Sequence, residues 1–271
     1  FALEISDMIV SAEIKDILLP LFDDISVQER LSLFKYRFPQ EKLSSLARAC
    51  DIINKDYNVI RNWTKTCALE LLIHFDRQDV AEILGANIVN PSPMISETAA
   101  WILHALDPDR FFDTLSAQHP RNKQRLENVT KKIGLATVFR QKLLITEKTE
   151  ALKNSGLFTG VPDPVLAEMA LSALDMTLAK DQSVPDPAQN ISHICLVLSG
   201  QIDRLRNKRR SDIYRDTVFL MESNRPSGED LTYRASEDSL LLAINMDRVI
   251  DLMREYPGFT RRFLAWYSSL L

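Results

Sequence analysis

Apolar residues recur at helical spacing through the first half of the chain. Ile60, Trp63, Cys67, Ala68, Leu71 and Leu72 form one stripe, and Ile95, Ala99, Ile102, Leu103 and Leu106 form another. Positions three and four apart share one face of a helix, so each run predicts an amphipathic helix with one buried side. Pro20, Pro39, Pro91, Pro93, Pro108 and Pro120 punctuate these runs and cut the region into short helices. Ser26 and Glu29 have the spacing of a capping box, in which hydroxyl and carboxylate each satisfy an orphan amide of the first turn. A last helix of this series is expected from Gln141 to Asn154.

Past about residue 150 the pattern changes. Only Gly85 and Gly134 precede that point, whereas Gly156, Gly160, Gly200, Gly228 and Gly258 follow it, and turns tighten accordingly. Ile194 to Leu198, Thr217 to Met221 and Leu240 to Ile244 are short aliphatic runs that predict buried strands. Ser199-Gly200 closes the first of them, where a tight reversal favours a residue that accepts positive φ. A helix from Asp247 to Tyr256 and an aromatic helix carrying Phe259, Phe263, Trp266 and Tyr267 end the chain.

The helical part has an internal echo. Ala2-Leu3-Glu4-Ile5 recurs as Ala68-Leu69-Glu70-Leu71, and Glu97-Thr98-Ala99-Ala100-Trp101 follows about one unit later. A unit on the order of 32 residues suits a helical-hairpin solenoid. Trp63 to Leu72 and Pro93 to Leu106 resemble HEAT-like repeats, with a generic helical bundle as the alternative.

Leu157-Phe158, then Pro162-Asp163-Pro164-Val165-Leu166, then Leu196-Val197-Leu198-Ser199-Gly200-Gln201-Ile202, then Ala235 to Ile244 resemble successive segments of the cyclic-nucleotide-binding domain family. The resemblance implies a β-roll flanked by helices and a phosphate-binding cassette built from a Gly-Glu pair, a short helix and an arginine. Gly228-Glu229 and Arg234 are the candidate vestiges of that cassette, with Arg225 just before them. Asp230 to Tyr233 alone separate Glu229 from Arg234, which leaves no room for the helix. Ala2 to Asp7, Glu13-Ile14-Lys15, Leu18 to Leu21 and Trp63 to Ala68 resemble the soluble tail of bacterial membrane proteins related to ATP/ADP translocases.

Composition narrows the function. A formal net charge of −4 disfavours nucleic acid as a partner, because phosphate neutralisation needs a basic surface. Arg204, Arg206, Lys208, Arg209 and Arg210 form the one conspicuous basic run, read as a solvated hairpin loop or as a contact with anionic lipid headgroups. Cys50, Cys67 and Cys195 lie in apolar runs and fit buried free thiols of a reducing compartment. His74, His104, His119 and His193 have no metal-ligand spacing, so no metal site is expected. The acidic pairs at Asp23-Asp24 and Asp76 to Asp79 fit helix ends. No phosphate loop or nucleophile elbow is present to support catalysis. The chain opens on Phe1 without a signal-peptide pattern, which fits a piece of a longer protein.

The sequence therefore predicts an α+β multidomain chain. An α-solenoid, HEAT-like, spans 1–148, and a cyclic-nucleotide-binding-like β-roll with flanking helices spans 149–271. It predicts no enzyme and no cofactor, with a cyclic nucleotide as the one ligand the family resemblance offers. The expected role is a cytoplasmic regulatory or interaction module at the inner-membrane face, partnered by a protein or by the membrane-embedded part of its own polypeptide. A working cyclic-nucleotide sensor is the first rival; a hydrolase or transferase with a site between the domains is the second.

Overall fold

The computed structural model describes residues 10–39, 41–56, 58–130, 143–185, 192–221 and 231–270, with only the backbone of Ala12 and Glu13. It divides into two compact units, Phe1–Arg48 and Ala49–Leu271. In the first unit, α1 (Ala12–Phe22) is followed by α2 (Val27–Phe34). The expected capping box is formed: the Ser26 N–H donates to Glu29 Oε2 at 2.8 Å and the Glu29 N–H to Ser26 Oγ at 3.2 Å. Arg30 ties the two helices by donating to the Pro20 and Asp23 carbonyls at 2.7 and 3.0 Å.

The second unit begins with the end of α3 (Ser45–Asn54), followed by α4 (Asn62–Leu71), α5 (Arg77–Ile88), α6 (Pro93–Leu106), α7 (Pro108–Ser116), α8 (Pro120–Thr130) and α9 (Ile145–Asn154). Proline occupies the first helical position of α6 and α7, where its missing N–H costs nothing. Helix α6 packs against α4, α5, α7, α8 and α9. Ala99 and Ala100 are fully buried there, and their small side chains let the neighbouring backbones close in. Leu69, Leu84, Ile102, Leu103 and Phe111 fill the space between these helices, each contributing about 1.5–3 kcal/mol by leaving water. Among the described residues no helix is long and apolar enough to cross a membrane.

Helix α10 (Asp163–Ser172) leads into the strands β1 (Leu174–Leu178), β2 (His193–Ser199), β3 (Ile202–Arg206), β4 (Arg209–Tyr214), β5 (Val218–Met221), β6 (Leu231–Ala235) and β7 (Ser239–Asn245). They form two antiparallel sheets, ordered β1-β7-β2-β5 and β4-β3-β6. Helices α11 (Met246–Glu255) and α12 (Pro257–Ser268) close the fold. The aliphatic runs of β2 and β7 are continuous because both faces are covered. Ile194, Leu196, Leu242 and Ile244 turn to a core shared with Leu166, Val249, Phe259 and Phe263 of the helices. Cys195, Val197, Leu241 and Ala243 turn the other way, to a core shared with Ile202, Tyr233 and Ala235 of the second sheet.

The architecture is thus a mixture of helices and antiparallel sheet. Of the three thiols, only Cys195 is buried and Cys50 and Cys67 are half-buried; Cys67 shares the side of α4 that carries half-buried Trp63 and exposed Leu71, because the helix turns Ala68, Leu69 and Thr66 inward instead of the expected Trp63, Cys67 and Leu71 stripe.

Candidate functional site

Strand β6 decides where Arg234 points. Successive side chains of a strand alternate between faces, and Tyr233 and Ala235 take the inward positions, both buried, leaving Arg234 exposed on the outer face opposite Asp203. The Arg234 guanidinium has no ion-pair or hydrogen-bond partner among the described residues. Gly228, Glu229 and Arg225 lie outside the described residues. Between the sheets, Tyr214 stacks on Phe219 at 4.4 Å between ring centroids, and Phe219 on Tyr233 at 5.4 Å. The Tyr233 hydroxyl donates to the Leu220 carbonyl at 3.2 Å, which satisfies its polar end while the ring stays in the core.

One end of the roll is closed by polar contacts around Gly200. Its φ of 82° lies in the left-handed region, and a Cβ there would press on the Ser239 side chain and the Asp238 carbonyl and sit 2.7 Å from Ser239 Cα. The next residue anchors the turn: the Gln201 N–H donates to Ser239 Oγ at 3.0 Å, and Gln201 Nε2 to Asp203 Oδ1 at 3.0 Å and Ser236 Oγ at 2.8 Å. Arg215 spans the rim, donating to Gln201 Oε1 at 3.2 Å and to Glu237 Oε1 at 2.6 Å.

The basic run is mostly strand, which corrects its reading as a solvated loop. Arg204 and Arg206 belong to β3, and Arg209 and Arg210 to β4, with Asn207 and Lys208 alone forming the turn at φ of 50° and 63°. Two positive φ values in a two-residue connection match the twist of the flanking strands, which is why so charged a segment still makes a hairpin. Arg204 pairs with Asp212 and Arg210 with the buried Asp203, each at 3.4 Å. Lys208 and Arg209 project from the tip, both exposed.

Groups that could act chemically are muted. Burial pushes the Cys195 thiol up to about 12. Burial, reinforced by Glu70 and Asp163, raises that of Cys67 to about 11, so both stay protonated at neutral pH. Burial also raises the Glu70 carboxyl, partly offset by a hydrogen bond from Thr146. Lys148 and Asp175 form a buried ion pair at 2.6 Å, and Lys148 also donates to the Ala173 carbonyl at 2.9 Å. The Leu143 N–H donates to Asp175 Oδ2 at 3.0 Å, so this pair fastens α9 to β1. Among the described residues no group of three or more His, Cys, Asp or Glu could hold a metal ion.

Part of the chain is similar to solved sensor and regulatory domains. The sensor domain of the transcriptional regulator DNR from Pseudomonas aeruginosa is 15% identical, over 47% of this chain and 90% of that one, at a TM-score of 0.40. The regulatory domain of Toxoplasma gondii PKA with cAMP is 10% identical over 47% of this chain and 50% of that one, at 0.37. The catabolite activator protein of Thermus thermophilus is 18% identical over 42% and 57%, at 0.34. No protein-family model matches the chain, and no curated protein does.

A groove that the sequence reading did not mark lies between α4, α10 and α11. It encloses about 470 Å³ and is lined by Arg61, Trp63, Pro164, Val165, Glu168 and Glu255. It adjoins a smaller hollow of about 210 Å³ that shares Val165, Glu168 and Glu255 and is also lined by Arg248 and Asp251. The lining residues come from three segments far apart in sequence; Trp63, Pro164 and Val165 fall in stretches marked for helix and family resemblance, but no local signal brings them together with Glu168 and Glu255.

Proposed function

We propose that the chain is a non-catalytic regulatory or docking module. On this reading it is the tail of a larger transporter-like membrane protein at the cytoplasmic face of the inner membrane. Its roll keeps a cyclic-nucleotide-binding-like form without the ligand function. The observation that carries the proposal is the direction of β6: Tyr233 and Ala235 hold the inward positions and Arg234 faces out. A cyclic phosphate held by that arginine would lie on the outside of the roll, beyond reach of the apolar interior that would have to take the base. The stack of Tyr214, Phe219 and Tyr233 between the sheets supports the same reading. The protonated thiols of Cys67 and Cys195 support a non-catalytic role.

A HEAT-like helical array is supported by the offsets of its helices. Helices α4 and α6 begin at Asn62 and Pro93, 31 residues apart, and α5 and α7 begin at Arg77 and Pro108, again 31 apart. Each helix packs on its counterpart one repeat later. The hairpin tip at Lys208 and Arg209 is the part of the basic run free to meet anionic lipid, since Arg204 and Arg210 are held by aspartates.

Isothermal titration of the purified chain with cyclic AMP and cyclic GMP tests the reading of the roll. Micromolar binding corresponds to about −8 kcal/mol, and each charge-assisted hydrogen bond lost removes about 1.5–3 kcal/mol of it. The expected dissociation constant is therefore on the order of millimolar or weaker. A low-micromolar value that weakens in Arg234→Ala would overturn the proposal in favour of a working sensor.

A further inference from the structure

We infer that the groove between α4, α10 and α11 docks an extended segment of a partner protein that presents a lysine or arginine side chain. Its volume of about 470 Å³ is that of a ligand cleft, and half-buried Trp63 with Val165 and Pro164 gives it an apolar lining. Glu168 lies one turn beyond Val165 on α10, and Glu255 is the last residue of α11. Both are exposed, and neither has an ion-pair or hydrogen-bond partner among the described residues.

The position of Glu255 is informative. A helix C-terminus carries the negative end of the macrodipole, so a carboxylate there is disfavoured and a cation is favoured. The dipole of α11, Glu255 and Glu168 thus place negative potential along one stretch of the groove; Arg248 of α11, which lines the adjoining hollow beside Asp251, is bonded to neither carboxylate among the described residues. Arg61 makes the converse arrangement, as a cation at the N-cap of α4, where the dipole is positive. It too has no described partner, so the groove is acidic beside α10 and α11 and basic beside α4. A basic side chain fits the acidic stretch: its aliphatic stem or guanidinium plane rests on the Trp63 indole and its charged head meets Glu168 and Glu255. The electron-poor α4 side then faces the segment's backbone carbonyls. This deepens the reading of the chain as a docking module without depending on the roll. Tight nucleotide binding would overturn that reading of the roll and leave this site standing.

The test is an NMR titration of the whole chain with N-acetyl-arginine amide and N-acetyl-lysine amide, read at the Trp63 indole N–H, which is assigned by its loss in Trp63→Phe. N-acetyl-glutamine amide serves as the neutral control. The expected result is a saturable shift of the Trp63 signal with a dissociation constant on the order of 1–10 mM for the basic compounds. Glu168→Gln with Glu255→Gln should weaken it by about tenfold, and Arg61→Ala should leave it unchanged or strengthen it. Because all three charged residues are exposed, the variants keep the fold, which circular dichroism verifies. No Trp63 shift, an equal shift with the glutamine compound, or binding unchanged in the double variant would overturn the proposal.

Discussion

The helices and the roll bury their polar groups by different means. Of the twelve buried polar or charged side chains among the described residues, Lys65, Thr66, Ser96, Glu97, Thr98, Thr130, Thr146, Lys148 and Thr149 belong to the helical part, and only His193, Asp203 and Ser239 to the roll. A helix supplies acceptors of its own. The hydroxyls of Thr66, Ser96 and Thr149 donate to the carbonyls of Asn62, Ser92 and Ile145, four residues back, at 2.9, 3.0 and 2.7 Å. On a strand the side chains stand roughly perpendicular to the sheet and away from its own carbonyls, so a short hydroxyl has no acceptor four residues back and the space between two sheets is left mostly to apolar and aromatic side chains. Asp203 and Ser239 lie instead at the Gly200 end of the roll, where they and Gln201 and Ser236 satisfy one another, and His193 lies at the opposite end of β2. A polar residue in an apolar run therefore has a different meaning in the two regions: tolerated on a helix, confined to the ends on a strand.

The strongest challenge to this contrast is Lys148→Met. Asp175 would be left in a buried site without its cation, with the Leu143 N–H as its remaining donor, and the expected loss is about 3–5 kcal/mol in urea unfolding. Adding Asp175→Leu should recover most of that loss but not all, because the Leu143 N–H then loses its acceptor. If Lys148→Met costs no more than an ordinary surface change, the ion pair does not fasten α9 to β1. Gly200→Ala tests the roll's polar end: the positive φ and the crowding against Ser239 predict a loss of about 1–3 kcal/mol. A neutral result would mean that the turn relaxes at no cost to the Gln201 contacts.

The smallest expected effect is a pH dependence. Burial raises the Glu70 carboxyl, so the unfolded state gives up its proton first as pH increases. Its contribution is fully present below the ordinary glutamate range and declines as pH rises through the raised value. Glu70→Gln, which cannot ionise, should therefore gain stability relative to the parent across that rise, as followed by unfolding at a series of pH values. A difference that stays flat with pH would show that the site is wetter than its burial implies.

How legible each element was depended on how local its cause is. The runs at Ile194 to Leu198 and Leu240 to Ile244 predict strands because both faces of β2 and β7 are covered and the apolar signal is continuous. Strands β3, β4 and β6 carry Asp203, Arg204, Arg206, Arg209, Arg210 and Arg234, and their charged outer positions hide the alternation, so the segment from Arg204 to Arg210 reads as a loop. The local pattern predicts α9 to its end at Asn154, whereas the partner of its buried Lys148 lies on β1 and leaves no trace near it. Gly228 and Glu229 fall outside the described residues, and Arg234 is placed by the register of β6 on β3.

By itself the sequence determined what short-range chemistry can determine: the capping box of Ser26 and Glu29, the proline-started helices α6 and α7, the turn at Gly200 and the buried strands β2 and β7. Steric and hydrogen-bonding preferences within a few residues are enough for each of these. Only the tertiary structure decided which face of β6 carries Arg234, that Lys148 meets Asp175, and that Trp63, Glu168 and Glu255 line one groove. Those depend on strand register and helix packing, which join residues many positions apart through contacts that no local pattern encodes.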